Sequence, residues 1–190
     1  EWERYNALRI KVLVASGGLA TLQGDYPAAR SYEHQALLLC QQMENKTYQA
    51  TCLMNLGNTE IHLGNYPQAL ALHEQALALR RELQDKPGIA ASLVNLGFAA
   101  MSQGDYPAAR ALYLECVSLR RELGDKYGIA LALGNLGEVA IAEQEYAHAR
   151  SFLDESLSLR REIGDERGIA FCLIRFANLE CACHNYSQVR

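Results

Sequence analysis

The sequence predicts an all-α fold, a solenoid of stacked antiparallel helix pairs. Three observations carry that prediction. The string RRELGDKYGIALALGNLGEVA at Arg120–Ala140 stands forty residues earlier as RRELQDKPGIAASLVNLGFAA, and forty later as RREIGDERGIAFCLIRFANLE. Recurrence at a fixed period of this length marks supersecondary units that stack on one another. Within each copy, apolar residues step by three and four, the spacing of one helical face. No useful period-two alternation occurs, and β-branched residues are sparse.

Overlaying the chain on itself aligns Gly24-Asp25-Tyr26, Gly64-Asn65-Tyr66, Gly104-Asp105-Tyr106, Gln144-Glu145-Tyr146 and His184-Asn185-Tyr186. The expected units are 7–46, 47–86, 87–126, 127–166 and a truncated 167–190, in a single array over 1–190. The first is degenerate: Ala15, Ser16 and Gly17 stand where Asn-Leu-Gly stands later. In the second, Leu53, Leu56 and Gly57 mark the core side of the first helix, and Ala69, Leu72, Ala76, Leu79 and Leu83 the stripe of the second. The third repeats that stripe as Ala109, Leu112, Cys116, Leu119 and Leu123. The fourth has Ile129, Leu133, Leu136 and Ala140, then Ala149, Phe152, Ser156, Leu159 and Ile163. The fifth is expected to turn at His184-Asn185-Tyr186 and to stop just inside its second helix.

The corners agree with this division. Gly124 and Gly164 follow the last apolar residue of a second helix, where a left-handed cap belongs. Asp85, Asp125 and Asp165 then stand where a carboxylate caps the next helix. Pro87 falls in a first turn, where its missing N–H costs nothing. Gly-Asp-Tyr-Pro does the same at the other corner. Loops this short force consecutive helices antiparallel. Gly17, Gly57, Gly97 and Gly137 sit inside first helices, with Ala177 in the same slot. An interior glycine costs about 1 kcal/mol against alanine, so its return implies a neighbour too close for a side chain.

With 190 residues, 49 % of them apolar, the chain has material for a core. A net charge of −4 gives no electrostatic case for nucleic acid or a membrane surface as partner. No apolar run reaches membrane-spanning length, and a cytoplasmic location is expected. The first residue is Glu1 and the last falls mid-pattern, as expected for part of a larger protein. The six cysteines have no paired framework, and several occupy Ala or Ser slots, as expected of reduced thiols in small core niches. The Asn-x-Ser/Thr strings at Asn45 and Asn185 are read as chance.

At Leu93-x-x-Leu96-Gly97, at Gly-Asp-Tyr and at Ala109-x-x-x-Tyr113, the sequence resembles the tetratricopeptide repeat (TPR) over almost its whole length. It departs from the motif in a leading Leu for Trp, in Ala or Glu for the first Tyr, and in the longer period. These features resemble the long-helix repeats of kinesin light chains and polarity scaffolds. The Arg-Arg-Glu-Leu-Gly-Asp string is similar to arrays in bacterial ATPase-type transcriptional regulators. The resemblance implies a right-handed superhelical array whose first helices line a concave groove.

A helical wheel places one set of residues per unit opposite the core: Asn55 and Asn58, then Asn95 and Phe98, then Leu131, Asn135 and Glu138, then Phe171, Arg175 and Asn178. Asn55, Asn95 and Asn135 form a ladder that ends at Arg175. An amide offers a donor and an acceptor to an extended peptide backbone, and an arginine grips a carboxylate with two parallel bonds. The resemblance implies the same roles. Phe98, Leu131 and Phe171 add large apolar groups on a face turned from their own core. The alternative is that the amides bond to neighbouring repeats. Arg80-Arg81, Arg120-Arg121 and Arg160-Arg161, each followed by acids, are read as a solvated face with inter-repeat ion pairs.

Cys181-x-Cys183-His184 lacks metal-ligand spacing. No cofactor motif, phosphate loop or nucleophile–base spacing appears, so no enzyme is expected. The leading expectation is a module that binds a protein or peptide segment in the groove. The alternatives are a sensor segment of a signalling ATPase or transcription regulator, and a scaffold that self-associates through uncapped ends.

Overall fold

The structure is a computed structural model that describes residues 2–188, the side chains of 3 and 185–188 excepted. Among the described residues it is all-helical. The helices are α1 (Trp2–Leu22), α2 (Tyr26–Gln42), α3 (Lys46–His62), α4 (Tyr66–Glu82), α5 (Lys86–Ser102), α6 (Tyr106–Glu122), α7 (Lys126–Ala142), α8 (Tyr146–Glu162) and α9 (Glu166–Gln188). The chain divides into two compact units, 1–99 and 100–190.

In the first unit α1, α2, α3 and α4 pack in chain order, and α1 also touches α3. In the second α6, α7, α8 and α9 do the same, and α7 touches α9. α1 and α3 therefore lie side by side in the first unit, and α7 and α9 in the second.

Local chemistry sets the corners as expected. Asp25, Asp105, Asp125 and Asp165 each accept a hydrogen bond from the amide three residues on, at 2.8–3.1 Å. Asn45 caps α3 in the same way, accepting from Tyr48 N at 3.2 Å. Gly124 and Gly164 have φ of +67° and +70°, the left-handed cap. Glu44, Gln84 and Gln144 hold that conformation without being glycine.

The interior glycines are notches. A Cβ on Gly57 would lie 2.7 Å from the His73 ring, one on Gly137 would lie 2.7 Å from Leu153 Cδ2, and one on Gly17 would lie 3.0 Å from Glu33 Cγ. Each tooth is a side chain of the following helix, Glu33, His73 and Leu153, at a register repeated every forty residues that Tyr113 also holds; all four are buried.

Three expectations fail. The chain does not turn at His184-Asn185-Tyr186; α9 runs unbroken to Gln188, and Val189 and Arg190 lie outside the described residues. At Gln144 the strained turn is offset by burying Ala149, Leu153 and Leu157 of α8. In α9 the helix carries through this register without a turn. Secondly, the arginine pairs are not uniformly solvated. Arg80 and Arg160 are buried, while Arg81 and Arg161 are exposed. The aligned acids are the reason: Arg160 reaches Asp165 at 2.6 Å, inside the next corner. Thirdly, Cys181 is exposed on α9. Cys40, Cys52, Cys116 and Cys172 fill core niches and are in no disulfide.

Candidate functional site

The odd helices place the wheel-selected residues as follows. In the first unit, Asn55 and Asn58 on α3 and Asn95 on α5 are half-buried, and Phe98 is exposed. Among the described residues the amides of Asn55 and Asn95 make no side-chain hydrogen bond. In the second unit, Leu131, Asn135 and Glu138 on α7 are half-buried, and Phe171 and Asn178 on α9 are exposed.

Arg175 of α9 binds these two helices together. Its Nε donates to Glu138 Oε1 at 2.8 Å, and its Nη2 donates to Asn135 Oδ1 at 2.9 Å. A Cβ on Gly134 would lie 2.5 Å from its Nη1, so the absence of a side chain there lets the guanidinium lie flat against α7. The last rung of the ladder is thus an internal cross-link, with one edge of the guanidinium already used. Beneath it lies the fully buried Tyr113 of α6. Burial and then the nearby Glu138 carboxylate push its phenol well above the ordinary range, so it stays neutral.

Beside this cross-link is a cleft of about 310 Å³, lined by Tyr127, Leu131, Arg160, Asp165, Arg167, Gly168, Phe171 and Arg175. Its walls combine exposed Tyr127 and Phe171 with cationic groups. Arg160 is matched by Asp165 and Arg175 by Glu138. Arg167 is exposed and makes no ion pair among the described residues. The cleft therefore holds an excess of positive charge on a chain of net charge −4. An apolar group beside a carboxylate matches it chemically. Wheel reasoning found Leu131, Phe171 and Arg175 but missed Tyr127 and Arg167. Those two occupy the register of Pro87, read only as a helix start.

The strongly perturbed acid and imidazole lie elsewhere, in the core of the first unit. Burial, then the charge of Glu60, raise the Glu33 carboxyl from its ordinary 4.5 to about 7, against a lowering by Thr59. Burial and then Arg80 lower the His73 imidazole to about 4. Glu33 Oε2, Glu60 Oε1, Thr59 Oγ1 and both His73 ring nitrogens are buried without hydrogen-bond partners. Among the described residues no group of three or more His, Cys, Asp or Glu is placed to hold a metal ion, and no helix is long and apolar enough to cross a membrane.

A family model described as tetratricopeptide repeat matches residues 8–82 and 88–162. No curated protein matches the chain. Among solved structures, the chain is similar to BtubC (BKLC) from P. vanneervenii, with 17 % identity over 98 % of this chain and 77 % of that one, at a TM-score of 0.85. It is similar to a Rap protein complexed with competence and sporulation factor, with 14 % identity over 95 % of this chain and 51 % of that one, at 0.80. It is also similar to a STAND signal-transduction ATPase with a tetratricopeptide repeat sensor from Pyrococcus horikoshii, with 13 % identity over 90 % of this chain and 26 % of that one, at 0.81. At these identities the likeness is one of fold.

Proposed function

The chain belongs to the tetratricopeptide-repeat family, and on that premise we propose that it is a protein-interaction module that holds an extended peptide or partner segment against its odd-numbered helices. The observation that carries this reading is the α7–α9 cleft, where exposed Phe171 and Tyr127 stand beside an unpaired Arg167. Asn135 and Arg175 hold the cleft's floor in shape, Glu138 fixes Arg175, and Leu131 lines it, with Asn178 exposed further along α9. In the first unit, Asn55, Asn58, Asn95 and Phe98 offer backbone-pairing amides and one exposed aromatic ring. The Rap protein, solved in complex with a factor, supports binding by such a fold.

The test uses an array of ten-residue peptides that vary the placing of an apolar side chain next to a carboxylate. Affinity is read by fluorescence anisotropy for the native chain, Phe171→Ala and Arg167→Glu. Each variant is expected to weaken the best peptide at least about fivefold, a loss of about 1 kcal/mol, with an unchanged melting temperature. Peptides that bind all three proteins alike would remove the cleft from consideration.

The likeness to a STAND protein's repeat sensor favours a second reading, a sensor segment within a multidomain signalling ATPase. Sequencing the gene on both sides of this stretch tests it. A nucleotide-binding domain in the same chain supports it, and a chain made of repeats alone counts against it.

A further inference from the structure

Among the described residues, the corners that lead from an even-numbered helix into the next odd-numbered one are not built alike. The later corners carry an arginine strap. Arg80 Nη1 of α4 donates to the Gly88 carbonyl at 2.7 Å and to Ser92 Oγ at 3.0 Å, both on α5. Arg120 Nη1 of α6 pairs with Asp125, which caps α7. Arg160 Nη1 of α8 reaches Asp165, which caps α9, at 2.6 Å. Each strap holds the last turn of one helix to the start of the next.

The corner from α2 to α3 is built from other residues. Forty residues before the first strap, Cys40 stands in the register of Arg80, Asn45 in that of Asp85, Tyr48 in that of Gly88 and Cys52 in that of Ser92. Cys40 Sγ and Cys52 Sγ lie 3.8 Å apart. A disulfide holds its sulfurs about 2.0 Å apart, so about 1.8 Å remains to be closed. Both residues are fully buried, and neither is in a disulfide. In the corner from α8 to α9 the neighbour of Cys172 Sγ is Ser156 Oγ, at 3.3 Å, and a hydroxyl cannot form such a bond.

Burial governs when the pair reacts. It pushes the Cys52 thiol above the ordinary range, with the adjacent Cys40 adding to the rise, and it raises Cys40 too. The closed core therefore holds two thiols, and the nucleophilic thiolate forms when the corner opens. Cys40 lies in the last turn of α2, two residues from its end at Gln42. A helix end opens more readily than a helix interior, so Cys40 meets an oxidant first.

We infer that Cys40 and Cys52 are an oxidative modification site, which a low-molecular-weight disulfide converts into an intramolecular bridge strapping α2 to α3. The Cys40 thiol releases its proton to solvent, and its sulfur attacks one sulfur of the oxidant. The oxidant's S–S bond breaks, one thiolate leaves, and a mixed disulfide remains on Cys40. Cys52 then gives up its proton, and its sulfur attacks Cys40 Sγ. The second thiolate leaves as the Cys40–Cys52 bond forms. Two electrons pass from the cysteine pair to the oxidant, and with the two protons it ends as two thiols. The bridge restricts the unfolded chain by closing the loop 40–52. It gives this corner a covalent, reversible strap in the register where α4 and α5 have a hydrogen-bonded one. This inference does not rest on the α7–α9 cleft.

The experiment incubates the full chain with glutathione disulfide, in urea too dilute to reduce its helical circular dichroism. Trypsin cuts after Lys46, between the two cysteines. A bridge therefore appears in unreduced mass spectra of the monomer as two joined peptides, 31–46 and 47–80. The joined peptides are expected to form more slowly than the glutathione adduct of exposed Cys181. The bridged chain is expected to melt at least about 5 °C higher. Its amides at 41–47 are expected to exchange at least about tenfold more slowly. Dithiothreitol is expected to reverse both changes. Cys52→Ser, which copies Ser92, and Cys40→Ala are each expected to lose the joined peptides and both shifts. Recovery of Cys40 and Cys52 as free thiols after prolonged incubation that fully modifies Cys181 overturns the inference. So does a stable glutathione adduct on either cysteine in place of the bridge, or a bridge that fails to raise the melting temperature. A rise that persists in Cys52→Ser also overturns it, because the gain then comes from another thiol.

Discussion

The two units solve one packing problem with different chemistry. In the second unit the tooth filling the Gly137 notch is Leu153, and Tyr113 occupies the same register one repeat earlier. In the first unit the teeth are Glu33 in the Gly17 notch and His73 in the Gly57 notch. The backbone arrangement is the same. A notch thus selects for the size of its tooth and tolerates a change in chemistry. The tolerance has a cost, because a buried polar atom without a partner loses its hydration. In the second unit Leu153 brings no such cost, whereas Tyr113 keeps a buried hydroxyl without a partner. The first unit holds Glu33, Glu60, Thr59 and His73 with unpartnered atoms.

The feature shared by the units is expected to give the largest effect. Arg160→Ala strands Asp165 within a buried corner, and a loss of about 3–5 kcal/mol is expected in urea denaturation. Arg161→Ala, one residue along and exposed, is expected to cost less than about 0.5 kcal/mol. Equal effects would mean that burial does not distinguish the pair. Next is a transplant of the first unit's chemistry into the second. Leu153→His puts unpartnered nitrogens against Gly137 and is expected to cost about 3 kcal/mol. A neutral result would break the comparison between the units.

Two further changes sharpen it through pH. The folded Glu33 carboxyl titrates near 7, above its ordinary 4.5. Its contribution to stability is therefore complete below pH 4.5 and is lost as pH rises through 7. Glu33→Gln removes that loss, and a gain of about 2 kcal/mol is expected at pH 8, shrinking toward pH 5. His73 has the opposite sign, with a folded value near 4 below its ordinary 6.5. Its contribution is complete above pH 6.5 and is lost as pH falls toward 4. In the native chain the two slopes oppose each other between pH 4.5 and 6.5. His73→Leu copies Leu153, and a gain of about 1–2 kcal/mol at pH 7 is expected. The same substitution should also leave stability rising toward acid, because only the Glu33 slope remains. The smallest effect belongs to a corner. Gln144 has a φ of +62°, and Gln144→Gly is expected to add about 1 kcal/mol by removing left-handed strain.

The period, the capping aspartates and the glycine notches were legible in the sequence because each is a local signal repeated in register. The buried arginines were not. In Arg160-Arg161-Glu162 the charges are adjacent, and only the fold decides that Arg160 turns inward to Asp165 while Arg161 faces water. The end of α9 was hidden for a related reason. Gln144-Glu145-Tyr146 turns without glycine or proline, so the letters at His184-Asn185-Tyr186 do not by themselves refuse a turn. That α9 runs on through them is seen only in the structure. At the candidate site, Asn135 and Arg175 were legible as neighbours one period apart, but not their bond, which depends on Gly134 leaving room for the guanidinium. Tyr127 and Arg167 went unnoticed because a helix's first turn was read for its capping and not for what it exposes.

The most direct measurement is a backbone-amide NMR titration of the chain with the best-binding peptide that carries an apolar group beside a carboxylate. The account predicts shift changes at Tyr127, Leu131, Arg167 and Phe171 that saturate together and vanish in Arg167→Glu. Changes confined to other helices, or none at peptide excess, would contradict it.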